Sequence, residues 1–263
     1  MVGMMPHDGQ APTLDVRGLT LRFGAVEVLR EVTLQVPSFG ITALIGPNGA
    51  GKTALLNAVT GVYHPQSGQV LLDSEDITGL PAQVIANRGI GRSFQHLELF
   101  QRLSVIENLL VFRDRHFSGN PLATLWFLGK CARQEAEQRA AAEDVIDFFE
   151  LWPYRDIAVT GLSYGTQKII GFARAMAMSP RLLLLDEPAS GLTREEKENL
   201  ARFILRLRSD WKVPMLWIEH DMDLVMDLAD RIYVLDLGRC IASGTPSEIR
   251  DNPEVRESYL GVD

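Results

Sequence analysis

Residues 46–53 read GPNGAGKT and satisfy G-x-x-x-x-G-K-[ST] at every defined position. Glycines at these points let the backbone curl, so that successive N–H groups of Gly46, Pro47, Asn48, Gly49, Ala50 and Gly51 (proline excepted) can face phosphate oxygens. A helix opening directly after such a turn adds about half an elementary positive charge at its N-terminus. Lys52 supplies a full charge for the β- and γ-phosphates, and the Thr53 hydroxyl is suited to ligating Mg²⁺. The chemistry is recognition of a nucleoside triphosphate. A second cluster follows four consecutive leucines: Asp186 and Glu187. Acids at the end of a buried strand lie at the carboxyl edge of a sheet, where open α/β sheets bind their ligands. Asp186 is placed to hold Mg²⁺, directly or through water, and Glu187 to polarise the attacking water as general base.

Positioning these groups requires particular elements. ITALIG, from Ile41 to Gly46, is wholly apolar and bounded by turn residues, as a strand buried on both faces should be. A helix is expected from Lys52 to about Val59. Further strands are expected at Leu14 to Phe23, Val32 to Val36, Gln69 to Leu72, the RLLLLDEP stretch, PMLWIEH, Arg231 to Leu235 and Arg239 to Ala242. Between Gln95 and Asp156 the pattern is mostly helical. CARQEAEQRAAAEDVIDFFEL is rich in good helix formers, with Val145, Ile146, Phe148 and Phe149 as its buried face and Pro153 marking its end. Helices are also expected from Ser163 to Met178 and from about Arg194 to Arg208. Strands alternating with helices indicate an α/β fold with a largely parallel core sheet.

Composition narrows the classes. The chain has 263 residues, 26 Lys plus Arg against 34 Asp plus Glu, and a net charge of −8. That balance argues against a general nucleic-acid binder. A hydrophobic share of 46% is enough to offset chain entropy, so most of the chain folds. Cys131 and Cys240 are too few for a disulfide framework and point to a reducing compartment. No apolar run approaches the ~20 residues that a bilayer span needs. The opening MVGMMPHDGQAP lacks the apolar stretch of a signal peptide, so the protein is expected to stay where it is made. No N-K-x-D guanine-reading motif is present, which disfavours a GTPase.

Further residues extend the pattern: Gln95 in RSFQHLELF, LSYGTQ at Leu162 to Gln167, and His220 in WIEHD. Taken singly, Gln95 reads as a loop amide, Ser163 as a helix N-cap, His220 as a structural histidine and Phe23 as core. Their joint order after a P-loop resembles that of the ATP-binding subunits of ABC transporters, across residues 13 to 262. The resemblance implies a P-loop NTPase fold of the ABC type, with a mainly parallel core sheet, an antiparallel β meander and a helical subdomain. Residues 1–12 would be a tail, 13–94 and 166–263 the core, and about 95–165 the helical insertion. Phe23 would stack on adenine. Gln95 would sense the γ-phosphate, Mg²⁺ and water, joining Thr53 and Asp186 at the metal. His220 would contact the γ-phosphate and hold the attacking water. Ser163, Tyr164 and Gly165 would bind the ATP of a partner subunit, in a head-to-tail homodimer or heterodimer.

Two features depart from the commonest ABC pattern. The signature carries Tyr164 where LSGGQ has glycine, and the loop after the acids reads SGLT, Ser190 to Thr193, where SALD is typical. Tyr164, GIGRSFQHLELFQRLSVIENLLV from Gly89, and the C-terminal stretch ending at Gly261 resemble importers of branched-chain and other hydrophobic amino acids. The implied protein is an ATPase at the cytoplasmic face of the membrane. Its partners would be two integral-membrane permease subunits, a second ATP-binding subunit and, indirectly, a periplasmic or extracellular solute-binding protein, with no nucleic acid. A urea, amide or carboxylate importer, or an ABC ATPase acting on nucleic acid or ribosomes, are the alternatives. The latter need long coiled-coil insertions or two nucleotide domains, which this chain lacks. Leu97, Leu99, Phe100 and Leu103 follow Gln95 and would either form part of the groove for a permease helix or belong to the core.

Overall fold

The computed structural model describes residues 12–93, 99–113 and 130–260. A hairpin of β1 (Leu14–Phe23) and β2 (Val26–Val36) leads to β3 (Ile41–Ile45) and α1 (Lys52–Val59). Then come β4 (Ser67–Leu72), β5 (Glu75–Asp76), α2 (Ala82–Asn87) and β6 (Ile90–Ser93). Helices α3 (Val105–Arg113), α4 (Lys130–Phe148) and α5 (Tyr164–Ala177) precede β7 (Leu182–Asp186), α6 (Arg194–Ser209), β8 (Met215–Ile218) and α7 (Met222–Leu228). After these lie β9 (Arg231–Asp236), β10 (Arg239–Gly244), α8 (Pro246–Asp251) and α9 (Pro253–Leu260).

Two sheets result. The meander is antiparallel, in the order β2-β1-β4-β5, and the central sheet runs β10-β9-β3-β8-β7-β6. Pairings from β6 through β9 are parallel, and β10 is antiparallel at the edge. Strands with no polar face need cover on both sides, and period-two alternation divides that cover. Leu183, Leu185, Met215 and Trp217 pack with residues of α3 to α6. Leu182, Leu184, Leu216 and Ile218 face the meander and Leu55 and Leu56 of α1. Val145, Ile146, Phe148 and Phe149 are all buried, each contributing roughly 1.5–3 kcal/mol of apolar burial.

The parallel register sets the site. Leu44 and Asp186 both pair with Ile218, so β3, β7 and β8 end together at one edge. The loops carrying the P-loop motif, the two acids and His220 therefore leave the sheet side by side. The structure corrects several expected boundaries. β2 begins at Val26, because pairing with the full length of β1 extends it beyond its apolar half. α4 ends at Phe148, and Pro153 lies in a separate 3₁₀ turn, Trp152–Tyr154, because the chain reverses at Glu150 with φ 58°.

Candidate nucleotide site

The loop from Gly46 to Gly51 is held by backbone constraints before any ligand is considered. Gly46 has φ 152°, and a Cβ there would come within 2.0 Å of the Leu235 carbonyl oxygen. Gly51 caps α1 in a left-handed conformation, φ 104°, without a side-chain capping bond, and the first turn carries no acid. The leading N–H groups of α1 thus open toward the loop and suit an anion. Lys52 folds back across the loop, donating to Gly46 O at 2.7 Å and Pro47 O at 3.0 Å. Burial pulls its pKa below the ordinary lysine value, while the charges of Glu187 and Asp186 oppose that shift. Residues 48–54, Val28 and Glu187 line a hollow of about 270 Å³.

The two acids at the end of β7 occupy different surroundings. Asp186 is buried, and its Oδ2 accepts from Arg92 Nη2 at 2.8 Å. Arg92 also donates to Asn57 Oδ1 and Thr60 Oγ1 at the far end of α1, at 2.7 and 3.3 Å. Asp186 Oδ1 is buried with no hydrogen-bond partner among the described residues. A hard anionic oxygen left unsatisfied near a phosphate cradle and the Thr53 hydroxyl is a donor set that fits Mg²⁺. Glu187 adopts φ 46°, an uncommon conformation for a non-glycine residue, and its N–H donates to Ile218 O at 2.9 Å.

His220 approaches both loops. Its Nδ1 lies 3.9 Å from Glu187 Oε2 and 3.5 Å from Glu219 Oε1. Glu219 is fully buried, accepting from Ala189 N, His220 N and Asp221 N. Neither Glu219 nor Arg92 is singled out by the sequence motifs. WIEHD does place an acid beside His220, and GIGRSFQ places a cation three residues before Gln95. Gln95 itself lies outside the described residues.

The remaining expected site residues are more dispersed. Phe23 ends β1, half-exposed, with Tyr63 edge-on at 4.9 Å between ring centroids. Ser163 caps α5 by accepting from Thr166 N at 3.2 Å. Tyr164 is exposed at the first helical position and covers Gly191 of the SGLT loop. Gly165 lies against Glu196, whose carboxylate would have to move aside for a Cβ there, since Oε1 would lie 2.0 Å from it. Ser163 and Gly165 line a separate hollow of about 460 Å³ with Thr193, Glu196 and Asn199, so the chain does not bring its signature to its own phosphate loop. Thr193 caps α6 in a reciprocal pair with Glu196.

The segment after Gln95 resolves in part. Phe100 is 47% exposed whereas Leu99 is 7% exposed, so the aromatic belongs to the surface and its neighbour to the core. Buried Asn108 exchanges hydrogen bonds with both the N–H and carbonyl of Phe100, fixing the turn that presents the ring. Phe100 contacts Phe112, which helps line a groove of about 210 Å³ with Val62, Ala82, Ile85, Arg92 and Arg174. Leu97 lies outside the described residues. No helix among the described residues is long and apolar enough to cross a membrane.

Comparison with known proteins accords with this geometry. A family profile described as "ABC transporter" matches residues 29–190, and one described as "Branched-chain amino acid ATP-binding cassette transporter" matches residues 239–263. The chain is 43% identical over 250 residues to the high-affinity branched-chain amino acid transport ATP-binding protein BraF of Pseudomonas aeruginosa, covering 95% of this chain and 98% of the relative. It is 41% identical, with the same coverage, to the corresponding protein LivG of Escherichia coli. Among solved structures, the ADP conformation of MJ1267, an ATP-binding cassette of an ABC transporter, superimposes with a TM-score of 0.83 at 29% identity. It covers 96% of this chain and 100% of that one.

Proposed function

The chain belongs to the ATP-binding subunits of the ABC transporter family, and from that premise we propose that it powers import of branched-chain amino acids. It binds and hydrolyses ATP, as is general for the family, and works with membrane permease subunits. The observation that carries the site assignment is the common edge at which the Lys52 loop, Asp186, Glu187 and His220 converge. The amino acid cargo is supported by the likeness to BraF and LivG and by the C-terminal profile match.

In this reading the N–H groups of residues 48–53 and the Lys52 ammonium hold the β- and γ-phosphates, while Phe23 carries the adenine. Thr53, Asp186 and Gln95 would hold Mg²⁺, which neutralises phosphate charge in the transition state when bound. Glu187 accepts a proton from the attacking water, and His220 fixes that water against the γ-phosphate. Ser163, Tyr164 and Gly165 close on the nucleotide of a second ATP-binding subunit, homologous or identical. This trans arrangement is supported by the separation of the signature from the chain's own phosphate loop. Residues 13–94 and 166–263 serve as the catalytic core and about 95–165 as the helical insertion that meets the permease, at the cytoplasmic face of the membrane.

The test is reconstitution with two permease subunits and a solute-binding protein. Leucine, isoleucine and valine are expected to stimulate ATP hydrolysis, and urea is not. Glu187→Gln should lower the stimulated rate by about 10²–10⁴, the range for loss of a general base, while retaining an ATP-bound dimer. Stimulation by urea alone would overturn the cargo, and unchanged hydrolysis in Glu187→Gln would overturn the base.

A further inference from the structure

Glu219 combines complete burial with no obvious part in holding nucleotide. Taking a carboxylate out of water is costly unless hydrogen bonds compensate. Here the compensation comes from two different loops. Oε1 accepts from His220 N at 2.9 Å and Asp221 N at 3.4 Å, within its own loop after β8. Oε2 accepts from Ala189 N at 3.2 Å, in the loop after β7 that carries Glu187. A backbone bond running the same way, from Glu187 N to Ile218 O at 2.9 Å, closes the same gap. The two loops are therefore stitched twice, once through backbone and once through this side chain. Its Oε1 also lies 3.5 Å from His220 Nδ1, on the same side of the imidazole as Glu187 at 3.9 Å.

We infer that Glu219 is a positioning residue that locks His220 and the Glu187 loop into one unit. The inference rests on the roles of Glu187 and His220 proposed above. Its chemistry explains why a carboxylate occupies the position. Two acceptor oxygens satisfy N–H groups on both loops at once, whereas an amide turns a donor toward one of them. A side chain one methylene shorter still reaches the N–H groups of its own loop but falls short of Ala189. Strain at Glu187, with φ 46°, is maintained only if the surrounding loop is held from outside, and the Ala189 bond does so two residues away.

The experiment uses the full chain and compares Glu219→Gln, Glu219→Asp, His220→Ala and the double variant Glu219→Gln/His220→Ala. Steady-state hydrolysis, ATP affinity and thermal midpoint are measured for each, with Glu187→Gln alongside. Glu219→Gln is expected to lower kcat at least tenfold while KM and ATP affinity stay within twofold, because the phosphate loop is untouched. Glu219→Asp should lose at least fivefold in kcat while still unfolding in one cooperative transition above the assay temperature, so the test survives if the amide variant folds poorly. The double variant should be less impaired than the product of the two single losses, because part of the effect of Glu219 passes through His220 and the rest through the Glu187 loop. Native kcat in both Glu219 variants overturns the inference, as does a double variant whose losses multiply. If His220→Ala and Glu187→Gln keep native kcat, the reading of the site itself has failed, and that outcome is distinguishable from failure at Glu219 alone.

Discussion

Asp186 keeps one oxygen on Arg92 and leaves the other without a hydrogen-bond partner among the described residues. Both side chains are nearly excluded from water, with 10% of Arg92 and 3% of Asp186 exposed, so solvent screens the pair little. Removing one member of such a pair leaves an uncompensated buried charge at a cost of about 3–5 kcal/mol. Arg92→Met should accordingly lower the unfolding free energy by that amount, measured by urea denaturation without divalent cations. A loss under about 1 kcal/mol would show that the pair does not hold the strand end. The proposed phosphate cradle is readable from sequence because its chemistry is local: eight consecutive positions contain the turn, the cation and the hydroxyl. Arg92 was not readable as part of the site, because its partner Asp186 lies 94 positions away. Glu219 meets Ala189 across 30 positions, and Asn108 serves the backbone of Phe100, for which no side-chain pattern exists.

At the scale of the element, the departure of SGLT from SALD has a local explanation. Thr193 takes the N-cap of α6, accepting from Glu196 N at 3.4 Å while its own N–H donates to Glu196 Oε2 at 2.8 Å. Threonine and aspartate are both good caps, so the helix start is preserved although the acid is absent. Thr193→Ala should destabilise the protein by about 1 kcal/mol in chemical denaturation, and Thr193→Asp by a few tenths at most. Equal losses in both variants would mean that the hydroxyl does more than cap. The start of α6 was legible as a helix expected from about Arg194. β5 and β6, by contrast, are two and four residues long, too short for periodicity to register, and α2 is a single turn and a half. Tertiary pairing with β4 and β7, rather than local propensity, defines the two strands.

At the scale of the whole molecule, three apolar clusters among the described residues divide the labour. One joins the helices to one sheet face, one joins the meander to the other, and a smaller one seats α7, α8 and α9 against β3, β9 and β10. The parallel sheet was legible in its uninterrupted apolar runs, but the strand order was not, because nothing local says which buried strand neighbours which. Phe100 stands outside all three clusters, at the surface beside the groove containing Phe112. Phe100→Asp should leave ATP affinity and the thermal midpoint of the isolated chain unchanged. In the reconstituted transporter it should cut permease-dependent stimulation of hydrolysis at least tenfold. Loss of ATP binding in the isolated chain would instead place the ring in the core.

The position of β3 also has a bearing on biosynthesis. It is made before any other strand of the central sheet, yet its neighbours are β8 and β9, and Gly46 rests against the carbonyl of Leu235. Gly46 and the strand that carries it thus leave the ribosome long before β9, the strand they pack against. The order of synthesis puts the last wall of the phosphate loop after every strand of the central sheet except β10.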